Sequence, residues 1–226
     1  FDGTAQGLSS TTNDVVWGYK IHAGAGFGQV LAGGNINGHG PADIVTAGAG
    51  AVSHHKAQSR IVLLTGGKGG LSEARSSHVD LGQLPHGLQD LREFGESVVV
   101  ADVTGDGRAD VIVGAPGSRN ESGVVVVLPG GAGGLQPKRA EAITQASPGI
   151  PGAVTKRNMF GTSLAVLVLG HGKRPAIAIG TPGADFGKAH RGATFVLHGD
   201  SHGLSSHPVR VIKGLHEHDR LGELVR

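Results

Sequence analysis

Between Asp102 and Asp110 the chain reads Asp-Val-Thr-Gly-Asp-Gly-Arg-Ala-Asp, with three carboxylates at short, regular spacing. Oxygens at alternate loop positions point to one side, and Gly107 permits the sharp turn that draws them together. Hard cations such as Ca²⁺ take six to eight oxygen ligands. On this reading Asp102, Thr104, Asp106 and Asp110 supply side-chain oxygens, and Arg108 supplies its backbone carbonyl. The hydroxyl of Thr104 is neutral and so the weakest of the set. The alternative is a metal-free turn in which the Asp side chains accept loop N–H groups. Calcium is favoured, because such a turn has no need of three Asp at this spacing.

The loop is one of several copies. The stretch from Phe94 to Gly117 has a counterpart from Phe27 to Gly50, another from Phe160 to Gly183, and a fourth opening at Leu221-Gly222. The starts lie 67, 66 and 61 residues apart. In the first copy Asn35, Asn37, His39 and Asp43 stand at the loop positions, with a single carboxylate among them. They form a weak second cation site, since imidazole suits softer metals. In the third copy Leu167, Leu169, His171 and Pro175 cannot hold a hard cation, so that loop is expected to be metal-free.

A second marker keeps the same phase. Endings of the Gly-x-x-Gly-Leu type close at Leu8, Leu71, Leu135 and Leu204, the last three after apolar runs. Each repeat thus holds about four short β-branched runs; in the middle copy they cover 98–101, 111–114, 123–128 and about 139–144. The separators are rich in Gly, Pro, Asn and Asp, as turns require. No sustained 3.6-residue period argues for a long helix. Four strands per repeat of some sixty residues is the arithmetic of a β-propeller blade.

The Phe-Gly opening, the acidic glycine loop and the Gly-Ala-Pro closing of 94–117 resemble the FG-GAP repeat. The resemblance is strongest over 94–135; the first copy has Ala47-Gly48-Ala49-Gly50 at its close. It implies an all-β fold, about 3.5 blades of the seven-bladed propeller of integrin α-subunits and many secreted bacterial proteins. It also implies a structural calcium loop at the five positions named above, where Thr104 departs from the usual Asp or Asn. Blades are expected over 27–93, 94–159 and 160–220, with 1–26 ending one blade and 221–226 starting another. Two arrangements fit these ends: an excerpt of a longer polypeptide, or remnants joining into a fourth blade. The shortness of the remnants favours the excerpt, which would pair with the missing blades or self-associate.

Composition bounds the rest. Gly makes up 41 of 226 residues, about 18% against an ordinary 7%, without a collagen register. The formal charge is +2 and there are eight aromatics, so base stacking on nucleic acid has little to work with. No apolar stretch suits a membrane helix, and cysteine is absent. Ser163 is explained by the repeat, since Ser97 holds the matching place, and so does not read as a nucleophile. His54-His55 and His216-Glu217-His218-Asp219 read as solvated loops, and the Gly66-Gly67 and Gly130-Gly131 pairs as turns. Asn120-Glu121-Ser122 is a glycosylation pattern, relevant only to a secreted eukaryotic chain. Arg108-Ala109-Asp110 belongs to the acidic loop.

Two functions follow. The first is a non-catalytic recognition or adhesion scaffold, extracellular or at the cell surface, binding a protein or glycan. The resemblance implies binding through loops 51–59, 118–122 and 184–191, opposite the calcium loops; the aromatic shortage counts against a glycan. The second is an accessory propeller of a secreted hydrolase or lyase, such as a phospholipase, peptidase or polysaccharide-active enzyme, with catalysis elsewhere.

Overall fold

The computed structural model describes residues 3–4, 7–8, 17, 25–49, 59–169, 174–186, 191–205, 207, 210–216 and 219–224. A two-residue pair, β1 (Gly3–Thr4) and β2 (Gly7–Leu8), comes first. Three antiparallel sheets follow. The first contains β3 (Ala25–Gly34), β4 (Asp43–Ala49), β5 (Ser59–Gly67) and β6 (Gly70–Asp80), paired in that order. The second contains β7 (Ser97–Ala101), β8 (Asp110–Ala115), β9 (Val124–Leu128) and β10 (Glu141–Ile143). In the third, β11 (Leu164–Leu167) pairs with β12 (Ala176–Thr181), and β12 with β13 (Ala193–Asp200). The far edge of β13 is taken by β14 (Gly203–Leu204) and β15 (Arg210–Lys213). These are blades of an all-β propeller, one for each repeat. Of the expected runs in the middle copy, only the fourth shrinks appreciably, because Pro137–Arg139 takes a 3₁₀ turn ahead of β10.

The blades stack face to face. In β9 every residue is buried, with Val124, Val126 and Leu128 in the core shared with the first sheet and Val125 and Val127 in the core shared with the third. A strand sandwiched between neighbours on both sides reads as an unbroken apolar run instead of an alternating one. Phe94 fills the first of these cores. Phe160, fully buried, fills the second, its ring 5.6 Å from that of Phe195 in an edge-on arrangement.

The second marker is the turn from third to fourth strand. Gly70, Gly134 and Gly203 sit in it with φ of 90°, 101° and 139°, a region that L side chains rarely adopt. The blade-to-blade seam is just as repetitive. Ser97 Oγ donates to the Gly161 carbonyl of the next repeat at 2.7 Å, and Ser163 Oγ to that of Gly222 at 2.8 Å. A Cβ on Gly114 or Gly180 would overlap the same two carbonyls. The bridge between Gly123 and Phe160 recurs between Gly192 and Leu221, so Leu221-Gly222 docks as the Phe-Gly starts do. Ser163 is therefore a seam residue, committed to a carbonyl.

Gly114→Ala lowers unfolding free energy by about 1–3 kcal/mol through overpacking. Ser97→Ala costs about 1 kcal/mol, the worth of one hydrogen bond. Urea unfolding of the two variants measures both, and a Gly114→Ala midpoint equal to wild type would mean the blades are spaced further apart.

Candidate functional site

The acidic loop connects β7 to β8, first strand to second. Its carboxylates divide into two kinds. Asp110 is the first residue of β8 and 1% exposed. Its Oδ2 accepts the N–H groups of Val103 and Thr104, at 3.1 and 3.0 Å, and its Oδ1 accepts that of Gly130 at 3.1 Å. Burial pushes the Asp110 carboxyl above its usual range, opposed by the N–H donors of Gly130 and Thr104 and by the Thr104 hydroxyl, while the charge of Asp102 adds to the rise. Asp43, fully buried, is held the same way in the first blade: Oδ2 accepts from Ile36 and Asn37, and Oδ1 from Gly66. This lock ties the loop to the end of the third strand in both blades.

That explains more of the glycine pattern than turns do. A Cβ on Gly130 would overlap the carbonyl oxygen of Ala109, and on Gly66 that of Ala42. These glycines are demanded by close backbone approach, a role that the turn reading of Gly66-Gly67 and Gly130-Gly131 lacks. In the third blade Gly199 donates instead to the carbonyl of Pro175. The strand pairing sets Leu167 opposite Ala176 as it sets Ala101 opposite Asp110. The residue matching Asp110 is thus Ala176, and the register read from sequence as Leu167, Leu169, His171 and Pro175 is corrected by one residue. The places of Asp102 and Asp110 fall to Val168 and Ala176, which carry no side-chain oxygen.

Asp102 and Asp106 belong to the loop itself. Asp102 Oδ1 accepts from Gly105 N at 2.6 Å and from Asp106 N at 3.1 Å, and its Oδ2 accepts from Gly107 N at 3.0 Å. Asp106, exposed, accepts from Arg108 N with Oδ1 and faces Arg108 Nη1 at 3.5 Å with Oδ2. Among the described residues no three acidic or imidazole side chains converge as a formed metal cage. The donor chemistry nevertheless fits a hard cation. Every donor is oxygen, and the buried Thr104 hydroxyl stands beside the Asp110 carboxylate.

The loop at 35–43 satisfies itself differently. Asn37 turns inward, its Nδ2 donating to Asp43 Oδ1 at 3.4 Å and its Oδ1 accepting from His39 N at 2.9 Å. His39 Nδ1 donates to the Asn37 carbonyl. Asn35 Oδ1 alone is buried without a partner. Here an amide does locally what a cation would do in the second loop.

Of the three loops expected to meet a ligand, 51–58, including His54 and His55, lie outside the described residues, as do 187–190. The third, 118–122, is described in full. Arg119, Asn120 and Glu121 are exposed and occupy the left-handed region in succession, with φ of 52°, 60° and 63°. Buried Ser118 anchors the turn, its Oγ accepting from Arg92 N and donating to Arg92 O. At the far end the hydroxyl of Ser122 donates to the Arg119 carbonyl at 2.9 Å. In the 216–219 stretch, Glu217 and His218 lie outside the described residues. Asp219 accepts from the N–H groups of Leu215 and His216. The His216 N–H holds its carboxyl below the usual range, as in a surface turn.

Residues 94–128 match the family model of the FG-GAP repeat. The chain thus carries an FG-GAP repeat over those residues and is similar over about half its length to integrin α-subunits. It is 34% identical over 125 residues to integrin alpha-6 of Homo sapiens, a match covering 54% of this chain and 10% of the relative. It is 38% identical over 129 residues to integrin alpha-7 of Homo sapiens, with 54% and 10% covered. Phosphatidylinositol-glycan-specific phospholipase D of Rattus norvegicus is 33% identical over 114 residues, with 48% and 13% covered. The matched stretch thus spans about a tenth of the length of these curated relatives.

The two kinds of carboxylate separate by mutation. With chelator present, Asp110→Ala and Asp43→Ala each leave buried N–H groups unpaired and cost about 3 kcal/mol or more. Asp106→Ala, at an exposed position, stays within about 0.5 kcal/mol of wild type. Urea melts in chelator make the comparison; a mild Asp110→Ala would refute the lock.

Proposed function

We propose that this FG-GAP segment is part of an extracellular or cell-surface recognition scaffold, non-catalytic in itself. In this reading the 102–110 loop binds Ca²⁺ as a structural staple, through Asp102, Thr104, Asp106, Asp110 and the Arg108 carbonyl. A cation there would neutralise adjacent carboxylates and tie the first two strands of the blade together. Asn35, Asn37, His39 and Asp43 make the weaker second site, since Asn37 already pairs with Asp43 and His39. The blades proposed are those of 27–93, 94–159 and 160–220, completed by further blades of a longer chain or by self-association.

The observation that carries the recognition reading is the turn at 118–122. Three successive non-glycine residues in the left-handed region cost about 1–2 kcal/mol each. Strain of this kind persists where a surface must be presented in one shape, and loops on rigid scaffolds are where binding residues concentrate. Arg119, Asn120 and Glu121 are thus offered, prepaid in shape, to a partner. A protein surface suits these charged and amide groups better than a glycan, which favours an aromatic platform. Asn120 would carry a glycan only in a secreted eukaryotic chain.

The relative named phosphatidylinositol-glycan-specific phospholipase D supports a second reading. In it the blades accompany a secreted hydrolase or lyase whose catalytic groups lie elsewhere in the polypeptide. The two separate on the whole protein: a hydrolase activity that survives substitution of 119–121 favours the accessory role.

Two outcomes are expected. Millimolar Ca²⁺ raises the melting temperature, by the equivalent of about 2.7 kcal/mol at a hundredfold excess over Kd, and Asp106→Ala abolishes the response. A melting curve that ignores calcium would leave the loop as a metal-free turn. Replacing Arg119, Asn120 and Glu121 together by Gly relieves strain, so melting stays level or rises, while capture of protein ligands in a pull-down falls at least tenfold. Undiminished capture would move the recognition surface elsewhere.

A further inference from the structure

The acidic loop is gripped from outside its own blade. Arg174, in the loop that joins β11 to β12 of the following blade, donates from Nε to the Thr104 carbonyl at 2.9 Å. Its guanidinium lies so close to Gly105 that a Cβ there would overlap Nε. The placement, though not the hydrogen bond, recurs one blade earlier, where Arg108 Nε is buried without a partner. Arg108, at the matching position, lies over Gly38 of the preceding loop, with its Cγ and Nε 3.1 Å from where a Cβ would stand.

The carbonyl of Thr104 and the N–H of Gly105 belong to one planar peptide unit. Asp102 Oδ1 accepts that N–H at 2.6 Å, while Arg174 holds the opposite end. Gly105 has φ of 73°, and glycine's freedom makes the peptide before it easy to turn over. A flipped peptide would aim its carbonyl oxygen at the Asp102 carboxylate and release the N–H that orients it. Arg174 opposes the flip, keeping the Asp102 carboxylate and the neighbouring Thr104 hydroxyl in register.

We infer that Arg174 is a positioning residue for the cation loop, so that calcium affinity in one blade depends on the docking of the next. This rests on the calcium reading of the 102–110 loop. Its charge works against a nearby cation, so the benefit must come from the hydrogen bond. That makes the two effects separable. In Arg174→Gln the amide Nε2 stands at the same point along the side chain as arginine Nε and carries no charge. In Arg174→Lys that point is a methylene and the charge remains.

Calorimetric titration of the full chain with CaCl₂ tests this. Arg174→Gln should match wild-type Kd within about twofold or bind more tightly. Arg174→Lys should bind about tenfold more weakly, the worth of one charge-assisted hydrogen bond. Both variants change an exposed side chain and should unfold at the wild-type urea midpoint in chelator. Under those conditions the Gly105 amide should exchange hydrogen faster in Arg174→Lys than in Arg174→Gln. If wild type takes up no calcium, the calcium reading falls and this proposal with it. Uptake by wild type with equal Kd in the two variants, or a weaker Gln variant, overturns the role of Arg174 alone.

Discussion

A Cβ on Gly114 or Gly180 would occupy the space of a carbonyl oxygen from the next repeat. That distance of approach governs the rest of the molecule. It sets the blades close enough for Ser97 and Ser163 to reach across, and for Phe94 and Phe160 to be buried at the start of the blade to which they belong. It also lets every residue of β9 be apolar, because water reaches neither face. The glycine content is thus the means by which sheets with large β-branched side chains in their middles touch by backbone at their ends.

The same closeness shapes the acidic loops. Asp43 and Asp110 are buried and spend their oxygens on backbone N–H groups, so they hold a loop to its own blade whether or not a cation is present. Asp102 and Asp106 lie nearer the surface and organise the loop interior. The first blade has the same buried lock, with Asn35, Asn37 and His39 in place of the other acids. The third has no carboxylate there, and the Pro175 carbonyl meets Gly199. Two of the three blades thus close the loop with a buried carboxylate and one with backbone alone.

The phase of the repeat, the four strands per unit and the positions of the turns were legible in the residues. Periodic glycines and β-branched runs report local backbone demands, and these vary little from copy to copy. The loop between β7 and β8 was legible for the same reason. The third copy runs as long from Phe160 to Gly183 as the second does from Phe94 to Gly117, so the one-residue slip at Leu167 came from its missing acids, and the pairing of Leu167 with Ala176 corrects it. The residues did not announce that Ser163 serves a seam, beyond its matching place with Ser97, or that Arg174 reaches into the preceding blade.

By itself the amino-acid order determined which segments become strands, where they turn and which loop gathers carboxylates, because each depends on neighbours within a few positions. What one blade does to the next was decided only in three dimensions. Arg174 stands 70 residues beyond the carbonyl it holds, and Ser97 stands 64 residues before the one it meets. Contacts at that separation follow from how far each sheet is rotated against its neighbour, a quantity that no local pattern encodes.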